Sequence, residues 1–307
     1  MFSHASAFYQ PLGGWRVAEV TSMNGMFWGA SAFNQPINGW SVDKVTTMRE
    51  MFHEASAFNQ PLDGWKVDNV VNVALMFWDA SSFNQPLGDW WVEKVTDMGY
   101  MFMGASSFNQ PLGDWWVDSV TDMSYMFSGA SAFNQPLGKW SVDKVTEVGG
   151  MFLGASSFNQ PLNGWNVAKV TSMGAMFAIA RAFDQPLDGW SVVEVTTMRK
   201  MFHGALSFDQ DLGWCVDDDV FKGDDGGSTI QDAFTGTTCA SASCGVMQGA
   251  IDKLGNCGKS RKTDAKHTTP LVYEILLIGS IVGYVIFLVG VSLSVSRDQI
   301  LRIRLTV

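Results

Sequence analysis

The first 214 residues contain no cysteine; all four, Cys215, Cys239, Cys244 and Cys257, fall in one late stretch. Bridges within the long N-terminal region are therefore excluded, and a small cysteine-bearing module is set apart. No Cys-x-x-Cys pair occurs, which argues against a structural zinc site. Positive charge is scarce. Lys and Arg number 20 against 30 Asp and Glu, for a formal net charge of −10. Neutralising a phosphate backbone needs a basic face, so nucleic acid is not an expected partner. No Asn-x-Ser/Thr sequon is present. No charged, apolar leader precedes the first repeat, and Met1 falls where later repeats also carry Met; the natural protein is expected to extend upstream. A phosphate-cradling Gly-rich loop, Gly-x-Ser-x-Gly and His-Glu-x-x-His are all missing, and His4, His53, His203 and His267 form no catalytic spacing. Neither an enzyme activity nor a cofactor nor a bound metal is expected.

What the chain does have is a period. Met-Phe recurs every 25 residues from Met1 to Met201 without a slip, giving nine units that read roughly MFxxASxFNQPLxxWxVxxVTxM. A second Phe recurs from Phe8 to Phe208, Trp from Trp15 to Trp190, and Pro from Pro11 to Pro186. The ninth unit is one residue shorter, has Asp211 in place of Pro and reaches Trp214. A period in the twenties suits a repeat solenoid with one short strand per coil. At strand spacing, nine coils would extend on the order of 45 Å. The alternation in Trp-x-Val, as at Trp90–Val92, predicts the strand. The stripe Val95, Met98, Met101, Phe102, Ala105 predicts a short helix or 3-10 segment, with Thr96 as its cap. Gly-Asp, Asn-Gly and Asp-Gly pairs before each Trp predict a turn. The Asn34–Asn159 and Gln35–Gln160 columns are expected to stack as amide ladders, and the Met and Phe stripes to form core.

Copies such as MFSGASAFNQPLGKWSVDKVTEV (Met126–Val148) resemble the BspA-like leucine-rich-repeat surface proteins nearly throughout, and the resemblance covers about residues 1–220. FDQDLGWCVDD (Phe208–Asp218) is similar to that family's C-terminal cap. The resemblance implies a leucine-rich-repeat-like solenoid, surface adhesion or ligand recognition, and no enzyme activity. It transfers no binding residues.

In a solenoid, columns that vary are the ones free of packing. The residue between Trp and Val reads Arg16, Ser41, Lys66, Trp91, Trp116, Ser141, Asn166, Ser191. It is expected to face solvent. Trp91 and Trp116 are thus candidate ligand anchors for an extracellular protein or glycan. The column Trp28, His53, Trp78, Met103, Leu153, His203 is read as packing. An acidic column, Asp43, Asp68, Glu93, Asp118, Asp143, sits beside Lys44, Lys94, Lys144 and Lys169; local ion pairing is expected in preference to calcium. The Asp217, Asp218, Asp219, Asp224, Asp225 cluster lacks EF-hand spacing.

Five segments follow: the solenoid over 1–214, a cap over 215–258, a basic stem over 259–270, a transmembrane helix over 271–295 and a tail over 296–307. The four cysteines are expected in two disulfides, hence an oxidising compartment, with three connectivities open. No charge interrupts Ile275–Val295, long enough to cross a bilayer. Gly279 and Gly283 would let two such helices pair in a homodimer. Flanking charge leans toward a cytosolic N-terminal domain, with Lys259, Arg261, Lys262 and Lys266 against Arg297, Arg302 and Arg304. The cysteines and the resemblance favour repeats outside a plasma membrane. Two functions are carried forward: a membrane-anchored surface protein for adhesion or ligand recognition, and a tail-anchored, cytosol-facing scaffold.

Overall fold

The computed structural model describes residues 1–217, 220, 230–251 and 257–258. The stem, the expected membrane helix with Gly279 and Gly283, the tail, and Asp218, Asp219, Asp224 and Asp225 lie outside the described residues. Among the described residues no helix is long and apolar enough to cross a membrane.

Each 25-residue unit lies against the next in parallel register. Isolated parallel bridges link Ser22 to Thr47, Thr47 to Asn72, Asn72 to Asp97, and so on to Thr197. The hydrogen bonds alternate in direction: the Thr96 amide donates back to Val71 O at 3.0 Å, and the Met98 amide donates forward to Asp122 O at 3.0 Å. This corrects the expected strand position. The inter-unit ladder runs through the Val-Thr-x-Met segment, not through Trp-x-Val. The reason is local. Within Trp-x-Val, the Trp90 amide donates to Leu87 O and the Val92 carbonyl accepts from the Val95 amide, both inside the same unit. The alternation of burial in Trp-x-Val is nonetheless present, with Trp90 and Val92 buried and Trp91 exposed.

The expected helical segment is also absent. The Met101 amide donates to Met98 O and the Ala105 amide to Phe102 O, so the stripe is made of separate turns. Tyr100 and Gly104, at the third position of these turns, have φ of 60° and 68°. That is a type II geometry, and a left-handed residue every fourth position stops helix propagation. Thr96 caps nothing. Its hydroxyl donates to Val71 O, as Thr121 does to Thr96 O and Thr146 to Thr121 O. The turn before each column Trp from Trp15 to Trp190 forms as predicted, and none precedes Trp214 in the shortened ninth unit.

The core is a pair of phenyl columns. Phe27 and Phe33 lie face to face within one unit at 4.0 Å between ring centroids. Phe27 stacks on Phe52 at 5.6 Å, and Phe33 on Phe58 at 5.9 Å. The Met column is buried with them. From Trp40 on, each indole of the recurring Trp column donates to a carbonyl one unit earlier, as Trp90 Nε1 does to Leu62 O at 3.1 Å and Trp115 Nε1 to Leu87 O at 2.8 Å. That bond explains why a polar aromatic recurs in an otherwise apolar interior.

The amide columns stack by a different pairing from like on like. Asn109 Oδ1 accepts the Asn134 backbone amide at 2.9 Å and Gln135 Nε2 at 3.0 Å. Because these bonds use only the Asn oxygen, aspartate can substitute. Asp184 Oδ1 accepts from the Asp209 amide and Gln210 Nε2 in the same way.

The last unit is closed by residues that imitate another coil. The Phe202 amide donates to Ala233 O and Met198 to Val220 O, continuing the inter-unit ladder. Phe234, at the end of α1 (Ile230–Phe234), stacks on Phe202 at 5.4 Å and extends the phenyl column. Strand β1 (Cys215–Val216) pairs in parallel with β2 (Met247–Gln248), and β3 (Ala250–Ile251) pairs antiparallel with β4 (Cys257–Gly258). Disulfides join Cys215 to Cys257 and Cys239 to Cys244, which selects the nested connectivity among the three left open.

Candidate functional site

Trp91 and Trp116 stand on the face opposite the buried Trp and Val of their own units. They are 72% and 69% exposed, against 3% for both Trp90 and Trp115. Neither ring contacts another aromatic side chain among the described residues. The two indoles instead wall a cleft of about 620 Å³, lined also by Gly88, Asp89, Val92, Glu93 and Asp114. A second hollow of about 380 Å³ lies on the other side of Trp116, beside Asp118, Lys139 and Ser141.

Local sequence places these groups. The turn Leu87–Trp90 holds Asp89 at its tip, and the Trp-x-Val alternation turns Trp91 outward two residues later. The next unit repeats this with Asp114 and Trp116. Both units read Gly-Asp-Trp-Trp-Val, whereas most other units have Gly in place of the Asp and Ser, Lys, Arg or Asn in place of the second Trp. Of the cleft's acidic rim, Glu93 stands in the acidic column read from sequence; Asp89 and Asp114 do not, although this paired departure is the signal for them.

Charge in the cleft is one-sided. Asp114 Oδ1 meets Lys139 Nζ at 3.3 Å, both widely exposed. Asp89 and Glu93 have no hydrogen-bond or ion-pair partner among the described residues. The expected pairing of the acidic column with the neighbouring Lys column does not occur. Lys44 pairs at 2.7 Å with Glu19, its own column-mate one unit earlier, and Lys94 donates to Asn69 Oδ1. Asp43 and Asp143 accept from Ser41 and from Asn166. Units stack in register, so like positions of adjacent units lie side by side and Lys44 reaches Glu19. Among the described residues no three or more His, Cys, Asp or Glu gather as metal ligands.

A second aromatic feature runs along the column read as packing. The His53 ring lies between Trp28 and Trp78, at 5.2 Å and 4.4 Å and within 9° of parallel. Trp78 continues to Tyr100 at 5.9 Å, and Tyr100 to Tyr125 at 5.0 Å. The last two come from another column, at the left-handed turn position, so sequence columns alone did not join them. Trp78, Tyr100, Arg49, Asp97 and Asp122 border a hollow of about 360 Å³. His53 is 7% exposed, and its Nδ1 has no hydrogen-bond partner among the described residues. Burial lowers its pKa below the ordinary 6.5, against the opposing pull of Glu54, Glu50 and Asp79.

The family described as "Mycoplasma protein of unknown function, DUF285" matches residues 1–115 and 105–214. The chain belongs to this family. The DUF285 match covers the whole repeat region and ends where the cysteine-bearing cap begins. No curated protein and no solved structure matches the chain. The family's description names no activity, so function rests on the site itself.

Proposed function

We propose that the protein is a non-catalytic recognition module, a leucine-rich-repeat-like solenoid of the BspA-like kind. In this reading it is displayed outside the cell and anchored by the apolar segment 271–295. The exposed Trp91–Trp116 pair carries the reading. Two large apolar rings held in water by a rigid scaffold stabilise nothing in the folded chain, and such anchors dominate binding energy where a partner covers them. Supporting the outward orientation are the two disulfides, since cytosolic thiols are kept reduced. The flank charges of 271–295 favour the other reading, a cytosol-facing scaffold on an internal membrane. Long domains, however, translocate largely regardless of flank charge.

Two measurements on cells making the full chain test the reading. The first is differential alkylation before and after reduction, paired with lysine labelling by a membrane-impermeant reagent. Four cysteines blocked until reduction, and lysines labelled on intact cells, are expected. Four freely alkylating cysteines and no labelling would turn the search to cytosolic partners. The second is cell attachment, which the double change Trp91→Ser and Trp116→Ser is expected to weaken without loss of surface protein. Unchanged attachment would remove the Trp pair as the anchor.

A further inference from the structure

The geometry points to a cationic occupant for the Trp91–Trp116 cleft: an arginine side chain presented by a partner protein. This deepens the recognition reading above and rests on it. Three observations carry it. First, the cleft is walled by two indoles whose faces are not covered by other rings. A guanidinium is planar and weakly hydrated, and it stacks on an indole face better than a compact ammonium does. Second, the rim is acidic. Asp89, Glu93 and Asp114 line the same cleft, and Asp89 and Glu93 have no partner among the described residues. Exposed carboxylates beside an aromatic wall complement a cation through both charge and hydrogen bonds, whereas a neutral sugar could use them only as hydroxyl acceptors. Third, the two features arise together. The two units that carry the outward Trp also carry Asp directly before the buried Trp, where five of the eight Pro-containing units have Gly and Asp63 and Asp188 stand one residue earlier. The chain's net charge of −10 adds a long-range attraction of the same sign.

Lys139 sharpens the inference. Its ammonium already sits 3.3 Å from Asp114 Oδ1, at the Trp116 side of the site. It competes with an incoming cation for that carboxylate. Its removal should strengthen cation binding and leave a neutral ligand unaffected.

The test uses the full chain in detergent, labelled with 5-fluorotryptophan, and fluorine NMR. Trp91→Ser and Trp116→Ser assign the resonances of the pair, Ser being the residue that several other units carry at this position. The probes are end-blocked Gly-Arg-Gly, its uncharged analogue Gly-citrulline-Gly, and maltohexaose. Gly-Arg-Gly is expected to shift both resonances saturably, and citrulline to do so far less. Loss of either Trp should weaken the arginine probe about fivefold, the scale of one exposed cation–π contact. Asp89→Asn with Glu93→Gln should weaken it, and Lys139→Ala should tighten it. Equal binding of the arginine and citrulline probes, or binding of maltohexaose alone, would overturn the arginine assignment while leaving the Trp pair as a recognition site. No shift at either resonance with any probe would overturn both.

Discussion

Trp115 and Trp116 are adjacent in the chain and opposite in role. The Trp115 indole N–H reaches Leu87 O at 2.8 Å and the ring is 3% exposed; the Trp116 ring is 69% exposed and walls the cleft. Stability and recognition are therefore separable by one residue step. Trp115→Phe is expected to lower unfolding free energy by about 2 kcal/mol, combining the lost hydrogen bond with a poorly filled site. Trp116→Phe should stay within about 0.5 kcal/mol of the parent. Urea unfolding of both variants checks this, and equal losses would contradict the assigned roles.

The Asn column makes a sharper chemical prediction. Asn109→Ala removes the acceptor for the Asn134 amide and for Gln135 Nε2. Leaving a part-buried amide unpaired is expected to cost about 1–3 kcal/mol. Asn109→Asp keeps the oxygen that does the work, as Asp184 does natively, and should cost clearly less at neutral pH. If the two variants lose the same stability, the oxygen-only account of the ladder fails.

His53 predicts a pH dependence. Its folded-state pKa lies below the ordinary 6.5 because burial disfavours the charged ring. Below about pH 6.5 the unfolded chain takes up a proton that the folded chain resists. The contribution is fully present above that value, and stability falls as pH drops from there toward the folded-state pKa. In His53→Leu, which copies Leu153 of the same column, that component of the slope between pH 7 and pH 5 should vanish. An unchanged slope would show that other groups set it.

The nested disulfides should contribute unequally. Cys215–Cys257 spans 42 residues and Cys239–Cys244 spans 5. On loop-closure grounds the first is worth about 4 kcal/mol and the second about 2. Paired Cys→Ala variants, followed by hydrogen exchange of Leu212 and Met247, whose amides bond Cys244 O and Trp214 O, give the comparison. The reverse order would mean that the short bridge, not the long one, holds the cap to the last coil.

The sequence by itself determined the period, the columns that become core, and the exposure of Trp91 and Trp116. Each follows from side-chain character repeated at a fixed interval: apolar columns are buried from the second unit on, and one-residue alternation beside a buried Trp must point outward. Only the tertiary structure decided which backbone segment carries the ladder. Local turns take up the Trp90 amide and the Val92 carbonyl, and no side-chain pattern reports that. It also decided that Lys44 meets Glu19 and not Asp43, that Trp78 meets Tyr100 of another column, and that Cys215 finds Cys257. These are contacts between residues far apart in the chain, set by how coils stack and by how the cap copies one more coil, and a single unit contains no trace of them.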